Sequence, residues 1–133
     1  MAIILDADVI IGAEKGTFDL QTWMSDHADE RFEVAAITVA ELWHGVERSS
    51  AAHRGQRELF VSAVLQKLAI LPYTETTALE HARLWASLES EGRMIGAHDL
   101  IVAATALEHG SPVATFNRRH FAQVRGLKVI EPS

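Results

Sequence analysis

Five short apolar runs, separated by longer segments of mixed composition, constrain the fold of this chain most strongly. Each run has the length of a buried β-strand, and they cover residues 2–5, 34–37, 69–71, 112–115 and 127–130. Strands that alternate with helices form a parallel sheet with helices on both faces. With 133 residues and no linker or internal repeat, the chain is predicted to form one α/β domain over residues 1–133.

The segments between the runs have the periodicity of amphipathic helices. Apolar residues recur there every three to four positions, which indicates one face packed on a core. Residues 99–109 are apolar nearly all round and predict a buried helix. Gly92 and Gly110 are expected to end helices. Three stripes are predicted to face the core: Val39–Leu42–Trp43–Val46, Phe60–Val64–Leu68 within residues 56–68, and Leu79–Ala82–Trp85–Ala86 within residues 77–91.

Three acidic residues stand at the predicted strand-to-helix turns. Asp6 ends the first run, Glu41 follows the second, and Asp99 opens the buried helix. Because the carboxyl ends of parallel strands share one edge of the sheet, the three carboxylates are predicted to meet there. Clustered carboxylates repel one another, and a hard divalent cation is the usual counter-charge.

Each acid also has a structural explanation when it is taken alone. Asp6 or Asp8 would cap the following helix, and Asp99 would cap the buried one. Thr38 to Glu41 has the spacing of a capping box, as has the segment from Thr77 to Glu80. Convergence of the acids on one edge is what favours a functional site.

The fourth run ends at the same predicted edge with polar residues. Thr115 and Asn117 would ligand a metal ion or orient its water, and His120 follows one helical turn later. Ordinary turn and cap chemistry is the alternative for Thr and Asn. The seven histidines show no HExxH-type spacing, and no P-loop or dinucleotide fingerprint is present.

Composition limits the classes of function. The chain has no Cys, which excludes disulfides, thiolate nucleophiles and zinc–cysteine sites. Its net charge of −6 divides into −9 over residues 1–111 and +3 over residues 112–133, so the basic end could hold a phosphate backbone beside the acids. No apolar run approaches a membrane span of about 20 residues, and the amino-terminal stretch lacks the basic region of a signal peptide. We expect a soluble, cytoplasmic protein.

Four segments resemble, in order, the motifs of PIN-domain nucleases of the VapC toxin branch. They are Ile4–Ile11, Ile37–Gly45, His98–Leu107 and Thr115–Leu127. The match runs essentially from end to end. Two departures occur, since Asp8 replaces the usual Asn, and Asn117 and His120 stand where a fourth acid is expected.

This resemblance implies a PIN-like three-layer α/β/α sandwich with a parallel sheet of four to five strands. It also implies the toxin of a VapBC-type pair, an endoribonuclease dependent on Mg²⁺ or Mn²⁺ that cleaves RNA with a metal-activated water. The implied partners are a cognate VapB-type antitoxin, tRNA or ribosomal RNA, and a second copy in a homodimer. The implied residues are Asp6, Asp99 and Glu41 for the metal, Asn117 and Thr115 for the water, and Arg118, Arg119 and His120 for RNA.

Two other functions stay open on the sequence. Asp6–Val9 fits the D-x-D-x-[TV] opening of haloacid-dehalogenase-like phosphatases, in which Asp6 would be the nucleophile. The downstream Lys and acidic pair that such enzymes need are poorly matched by Lys128 with Glu108 or Glu131. A receiver-like or nuclease-dead PIN-like binding domain would keep the acids without cleaving RNA.

Overall fold

A computed structural model describes residues 1–133 as one central sheet with seven helices around it. The strands are β1 (Ala2–Leu5), β2 (Arg31–Ala35), β3 (Ala69–Leu71), β4 (Val113–Ala114) and β5 (Val129–Ile130). The helices are α1 (Ala7–Lys15), α2 (Leu20–Asp26), α3 (Ala36–Glu47), α4 (Ala51–Leu65), α5 (Glu75–Ser90), α6 (Ala97–His109) and α7 (Arg118–Phe121).

All strand pairs are parallel, in the order β3-β2-β1-β4-β5. Ile4 lies beside Glu33 of β2 and beside Val113 of β4. β1, the first strand in the chain, therefore occupies the centre of the sheet, and its neighbours β2 and β4 come from later parts of the chain. The predicted parallel α/β architecture is confirmed.

Side chains of the central strand alternate between two hydrophobic cores, because successive residues of a strand point to opposite faces. Ile3 and Leu5 pack against α1 to α4 on one face. Ile4 packs against α5, α6 and the segment around Phe121 on the other. The two cores confirm that helices cover both faces. None of the helices combines the length and apolar composition needed to cross a bilayer.

The second strand and its helix begin earlier than the sequence predicted. β2 ends at Ala35, and α3 begins at Ala36 with no side-chain cap. The capping box from Thr38 to Glu41 is therefore wrong: Thr38 is fully buried inside α3, and its hydroxyl has no hydrogen-bond partner. The apolar run 34–37 concealed this boundary because its second half continues as the half-buried first turn of α3.

The predicted capping box from Thr77 to Glu80 is also wrong, since α5 begins at Glu75. Its N-cap is Thr74, whose hydroxyl accepts a hydrogen bond from the Thr77 amide, and the Thr77 hydroxyl accepts one from the Thr74 amide. α4 likewise spans Ala51–Leu65 and not residues 56–68. Gly92 and Gly110 have positive φ directly after α5 and α6, as predicted for helix ends.

The predicted core-facing stripe of α5 is wrong as well. Leu79, Ala82, Trp85 and Ala86 are all exposed. The helix instead buries Thr77, Leu84 and Leu88 against the second core. The α5 sequence contains two apolar faces, and the chain covers only one of them.

We expect Phe121→Ala to lower the free energy of unfolding by about 3–5 kcal/mol, because it opens a cavity where the ring is 0% exposed. Urea unfolding followed by circular dichroism measures this. Leu59→Ala, at a side chain that is 73% exposed on α4, should change stability by less than about 0.5 kcal/mol. Equal effects of the two substitutions would contradict the assignment of the second core.

Candidate active site

Asp6 lies at the carboxyl end of the central strand and is 5% exposed. As the N-cap of α1 it accepts a hydrogen bond at Oδ1 from the Ala7 amide, 2.9 Å away. Its Oδ2 accepts a second hydrogen bond, of 2.8 Å, from the Thr115 hydroxyl. Asp6 thus caps α1 through Oδ1, which agrees with the capping explanation. Its Oδ2 is bound instead by Thr115, which lies 109 positions later in the chain.

Asp8 faces the same carboxyl end of β4 from the first turn of α1. It accepts a 3.1 Å hydrogen bond from the Phe116 amide, and its oxygens lie 3.3 and 3.5 Å from the Thr115 hydroxyl. The Thr115 hydroxyl oxygen in turn accepts a 2.9 Å hydrogen bond from the backbone amide of Asn117. This fully buried threonine therefore ties two carboxylates to the start of segment Thr115–Leu127, which we call the closing segment.

Asp99 and Glu41 reach the edge from α6 and α3. The predicted strand-to-helix turn before Asp99 is wrong, because α6 follows α5 and not a strand. Asp99 is the third residue of α6, after the N-cap Gly96, so the alternative explanation of Asp99 as an N-cap is also excluded. Asp99 Oδ2 lies 3.6 Å from His120 Nδ1, and Glu41 Oε2 lies 3.4 Å from His98 Nδ1. Each of these two carboxylates thus faces an imidazole.

Burial and mutual repulsion perturb the carboxylates. Burial, followed by the charge of Asp8 and more weakly that of Asp99, raises the pKa of Asp6 to about 7 against the opposing hydrogen bond from Thr115. Burial also raises the pKa of Asp8 and of Glu41, and the charge of Asp99 contributes to both. The charges of Asp8 and Asp99 contribute to the raised pKa of both Asp6 and Glu41, so the four acids lie near the same edge of the sheet.

The closing segment places the remaining predicted residues beside the acids. The side-chain amide nitrogen Nδ2 of Asn117 lies 2.9 Å from His120 Nδ1, the same ring nitrogen that lies 3.6 Å from Asp99 Oδ2. Arg118 and Arg119 are exposed on α7. His98 also reaches this edge, although no role was predicted for it. Its position directly before Asp99, at the start of the segment His98–Leu107, was the available signal.

The carboxylate oxygens at this edge suit a hard cation that keeps part of its water shell, and not one coordinated by protein atoms alone. No three His, Asp or Glu side chains are arranged to hold a metal ion directly. Mg²⁺ keeps several waters and commonly takes only one or two protein carboxylates. The oxygen-rich chemistry of this edge therefore fits Mg²⁺ or Mn²⁺, with part of the coordination supplied by water.

The acidic edge is an open surface and not a deep cavity. A shallow hollow of about 290 Å³ beside it is lined by Gly96, Ala97, His98 and Asp99. The largest cavity, about 860 Å³, lies elsewhere, between α1, α3 and α4, and contains the ion pair of Arg57 with Glu14. An open edge suits a polymer that passes across it more than an enclosed small molecule.

Comparison with known proteins agrees with this arrangement. The PIN domain family model matches residues 3–127. Ribonuclease VapC1 of Rickettsia felis is 31% identical over 134 residues, covering 100% of this chain and 98% of that protein. The tRNA(fMet)-specific endonuclease VapC of Salmonella typhimurium is 29% identical over 111 residues, covering 78% of this chain and 83% of that protein.

A solved structure extends the likeness to the fold. The crystal structure of VapBC2 from Rickettsia felis, bound to a DNA fragment from its promoter, superposes with a TM-score of 0.89 at 22% identity. The alignment covers 97% of each chain. The fold, the family model and the full-length relative agree, and the chain therefore belongs to the PIN-domain family, in its VapC branch.

Proposed function

We propose that this chain is the toxin of a VapBC-type pair, an endoribonuclease that uses Mg²⁺ or Mn²⁺ to hydrolyse RNA phosphodiester bonds. The observation that carries the proposal is the meeting of Asp6, Asp8, Glu41 and Asp99 at one open edge, where the pKa of three of them is raised. Raised pKa values of this kind are typical of functional sites, where a bound ligand supplies the opposite charge. The names of the VapC relatives support ribonuclease activity.

Asp6 and Asp99 would hold the cation, and Glu41 would contact it through a water. When bound, the cation lowers the pKa of a water and neutralises charge on the phosphate. Thr115 holds Asp6 in place from its buried position, and Asn117 would orient the attacking water. His120 stays within reach of Asp99, and Arg118 and Arg119 contact the RNA backbone from the exposed turn of α7.

Two partners follow from the same proposal. One is structured RNA, of which tRNA is supported by the named activity of the Salmonella typhimurium relative. The other is a VapB-type antitoxin, supported by the VapBC complex of similar fold. A basic antitoxin side chain would bind the acidic edge in place of the cation, because a guanidinium forms charge-assisted hydrogen bonds with carboxylates.

Membership of the PIN-domain family disfavours the phosphatase alternative. The nuclease-dead alternative is decided by the cleavage assay below.

The first prediction is that the purified chain cuts RNA with Mg²⁺ or Mn²⁺ and stops on addition of EDTA. Asp6→Asn and Asp99→Asn should each lower the cleavage rate at least about 100-fold, because each removes a charged ligand. Asp26→Asn, at an exposed position at the end of α2, is the matched control and should cleave at the wild-type rate. Wild-type cleavage by either site variant would contradict the role given to that residue, and an inert wild-type protein would favour the nuclease-dead alternative.

The second prediction concerns the missing fourth acid. If Asn117 belongs to the metal site, Asn117→Asp should bind Mn²⁺ several-fold more tightly, because it adds a hard anionic ligand. His120→Ala should act mainly on RNA turnover. Calorimetric titration with Mn²⁺ separates the two effects. Unchanged Mn²⁺ affinity in Asn117→Asp would place Asn117 outside the metal site.

The third prediction is the pH dependence of stability without metal. Folding raises the pKa of Asp6 from 3.8 to about 7, so between these values the folded state holds a proton that the unfolded state has lost. The stability that this proton contributes is greatest at acidic pH and falls as pH rises towards about 7. In EDTA, lowering the pH from 8 to 6 should therefore stabilise the protein by about 1 kcal/mol.

Thermal unfolding of wild type and Asp6→Asn at both pH values measures this effect. The variant should show a smaller gain, because it has lost the titrating group. Excess Mg²⁺ should stabilise wild type at pH 8 through binding and should stabilise the variant less. An equal pH response in the two proteins would show that Asp6 does not titrate in this range.

A further inference from the structure

Phe116 is an aromatic residue that faces solvent at the acidic edge. Its side chain is 40% exposed, although it directly follows Thr115, which is fully buried. Its backbone amide donates a 3.1 Å hydrogen bond to Asp8. The residue therefore lies beside the carboxylates at the carboxyl end of β4, and neither hydrophobic core includes its ring.

Two contacts fix the position of this ring. The Phe18 ring meets it edge to face, at a centroid distance of 5.2 Å and an interplanar angle of 82°. A Cβ atom at Gly12 of α1 would lie 3.3 Å from Phe116 Cε2, so the missing side chain lets the ring approach the helix. Phe18 itself packs on the first core. An exposed ring that is already held in place loses little conformational entropy when a ligand binds to it.

We propose that the Phe116 ring is a stacking surface for an unpaired nucleobase of the RNA substrate, next to the phosphate that the acidic edge cleaves. The substrate class is then RNA that is single-stranded at the cleavage site. This inference rests on the proposed ribonuclease function and deepens it, because it adds a residue that positions the substrate.

The surroundings of the ring favour a nucleobase over a protein as its occupant. Thr115 and Asn117, its neighbours in the chain, are polar, whereas the centre of a protein interface is a cluster of apolar side chains. Arg118 and Arg119 follow within three residues and are exposed, so they supply positive charge for a phosphate backbone. Every nucleobase has a flat face that stacks on an aromatic ring.

The position of Phe116 determines which part of the RNA it contacts. Its backbone binds Asp8 directly, so a base on the ring and a phosphate at the acids belong to the same nucleotide or to neighbouring ones. In a duplex the faces of each base are covered by adjacent base pairs, whereas bases in loops and single strands can turn outward and stack on aromatic side chains. A base held in this way would keep the scissile phosphate aligned with the acidic edge.

The first test is RNA binding in EDTA, which separates binding from cleavage. The probe is a fluorescein-labelled single-stranded RNA of mixed sequence, and fluorescence anisotropy measures Kd. Phe116→Leu keeps an apolar side chain against Gly12 and Phe18 but removes the aromatic face, and it should raise Kd about 10-fold. The slope of log Kd against log salt should not change, because no charge is lost, whereas Arg118→Gln should reduce that slope. Circular dichroism verifies that the variants fold.

An RNA without bases is the matched control. Wild type and Phe116→Leu should bind an abasic RNA of the same length with equal affinity, because no base is left to stack. Phe116→Trp should bind the normal probe at least as tightly as wild type, and the probe should quench its fluorescence more than that of the three native tryptophans. Equal affinity of wild type and Phe116→Leu for the normal probe, or the same loss on the abasic probe, would overturn the proposal.

Cleavage distinguishes this inference from the proposed function. With Mg²⁺ and an RNA hairpin, cuts should fall in the unpaired loop, and Phe116→Leu should lower kcat/KM about 10-fold. Cleavage by Phe116→Leu at the wild-type rate would reject the nucleobase site and leave the ribonuclease function intact. A wild type that binds bases through Phe116 in EDTA but cuts no RNA would reject the ribonuclease function and retain the nucleobase site. Unchanged RNA binding by Phe116→Leu, with weaker binding of a VapB-type antitoxin, would assign the ring to that partner and overturn the proposal.

Discussion

The parallel pairing of β1 with β4 is the constraint on which the acidic site depends. Leu5 lies beside Ala114, and the Asp6 amide donates a 2.9 Å hydrogen bond to the Ala114 carbonyl. That register leaves Asp6 and Thr115 one residue beyond their strands and within hydrogen-bond distance of each other. A shift of one residue would turn Thr115 to the opposite face of the sheet and remove it from Asp6.

At this edge of the sheet, the arrangement that the proposed function needs is unfavourable for the stability of the fold. Asp6 is held in a buried position where its ionised form is unfavourable, and neighbouring carboxylates add to the repulsion. Only one hydroxyl and backbone amides offset that repulsion at Asp6 and Asp8. His98 and His120 stand beside the two more exposed acids, so the protein itself supplies little permanent positive charge. The acidic edge therefore keeps an excess of negative charge that a cationic ligand would neutralise.

Much of this site was predictable from sequence because strand ends in a parallel sheet share one edge. Asp6 needed only that rule and an approximate strand position. Asp99 does not follow from it, because the chain enters α6 from α5 and not from a strand. The contacts of His98 and His120 were not predictable, since they depend on the relative placement of α3, α6 and α7. The start of α3 was missed because Ala35, its N-cap, carries no capping side chain. For α5, periodicity identified an apolar face but not whether a core or another molecule covers it.

The central position of the first strand has a consequence for synthesis of the protein. A ribosome makes β1 and its acids first, yet β4 and Thr115 emerge only after more than four-fifths of the chain. Until then Asp6 has neither its hydrogen-bond donor nor the closing segment that carries Arg118 and Arg119. A nascent chain therefore carries an unassembled site for most of its translation, and any fragment that ends before β4 contains the acids but lacks Thr115 and the strand pairing that positions Asp6.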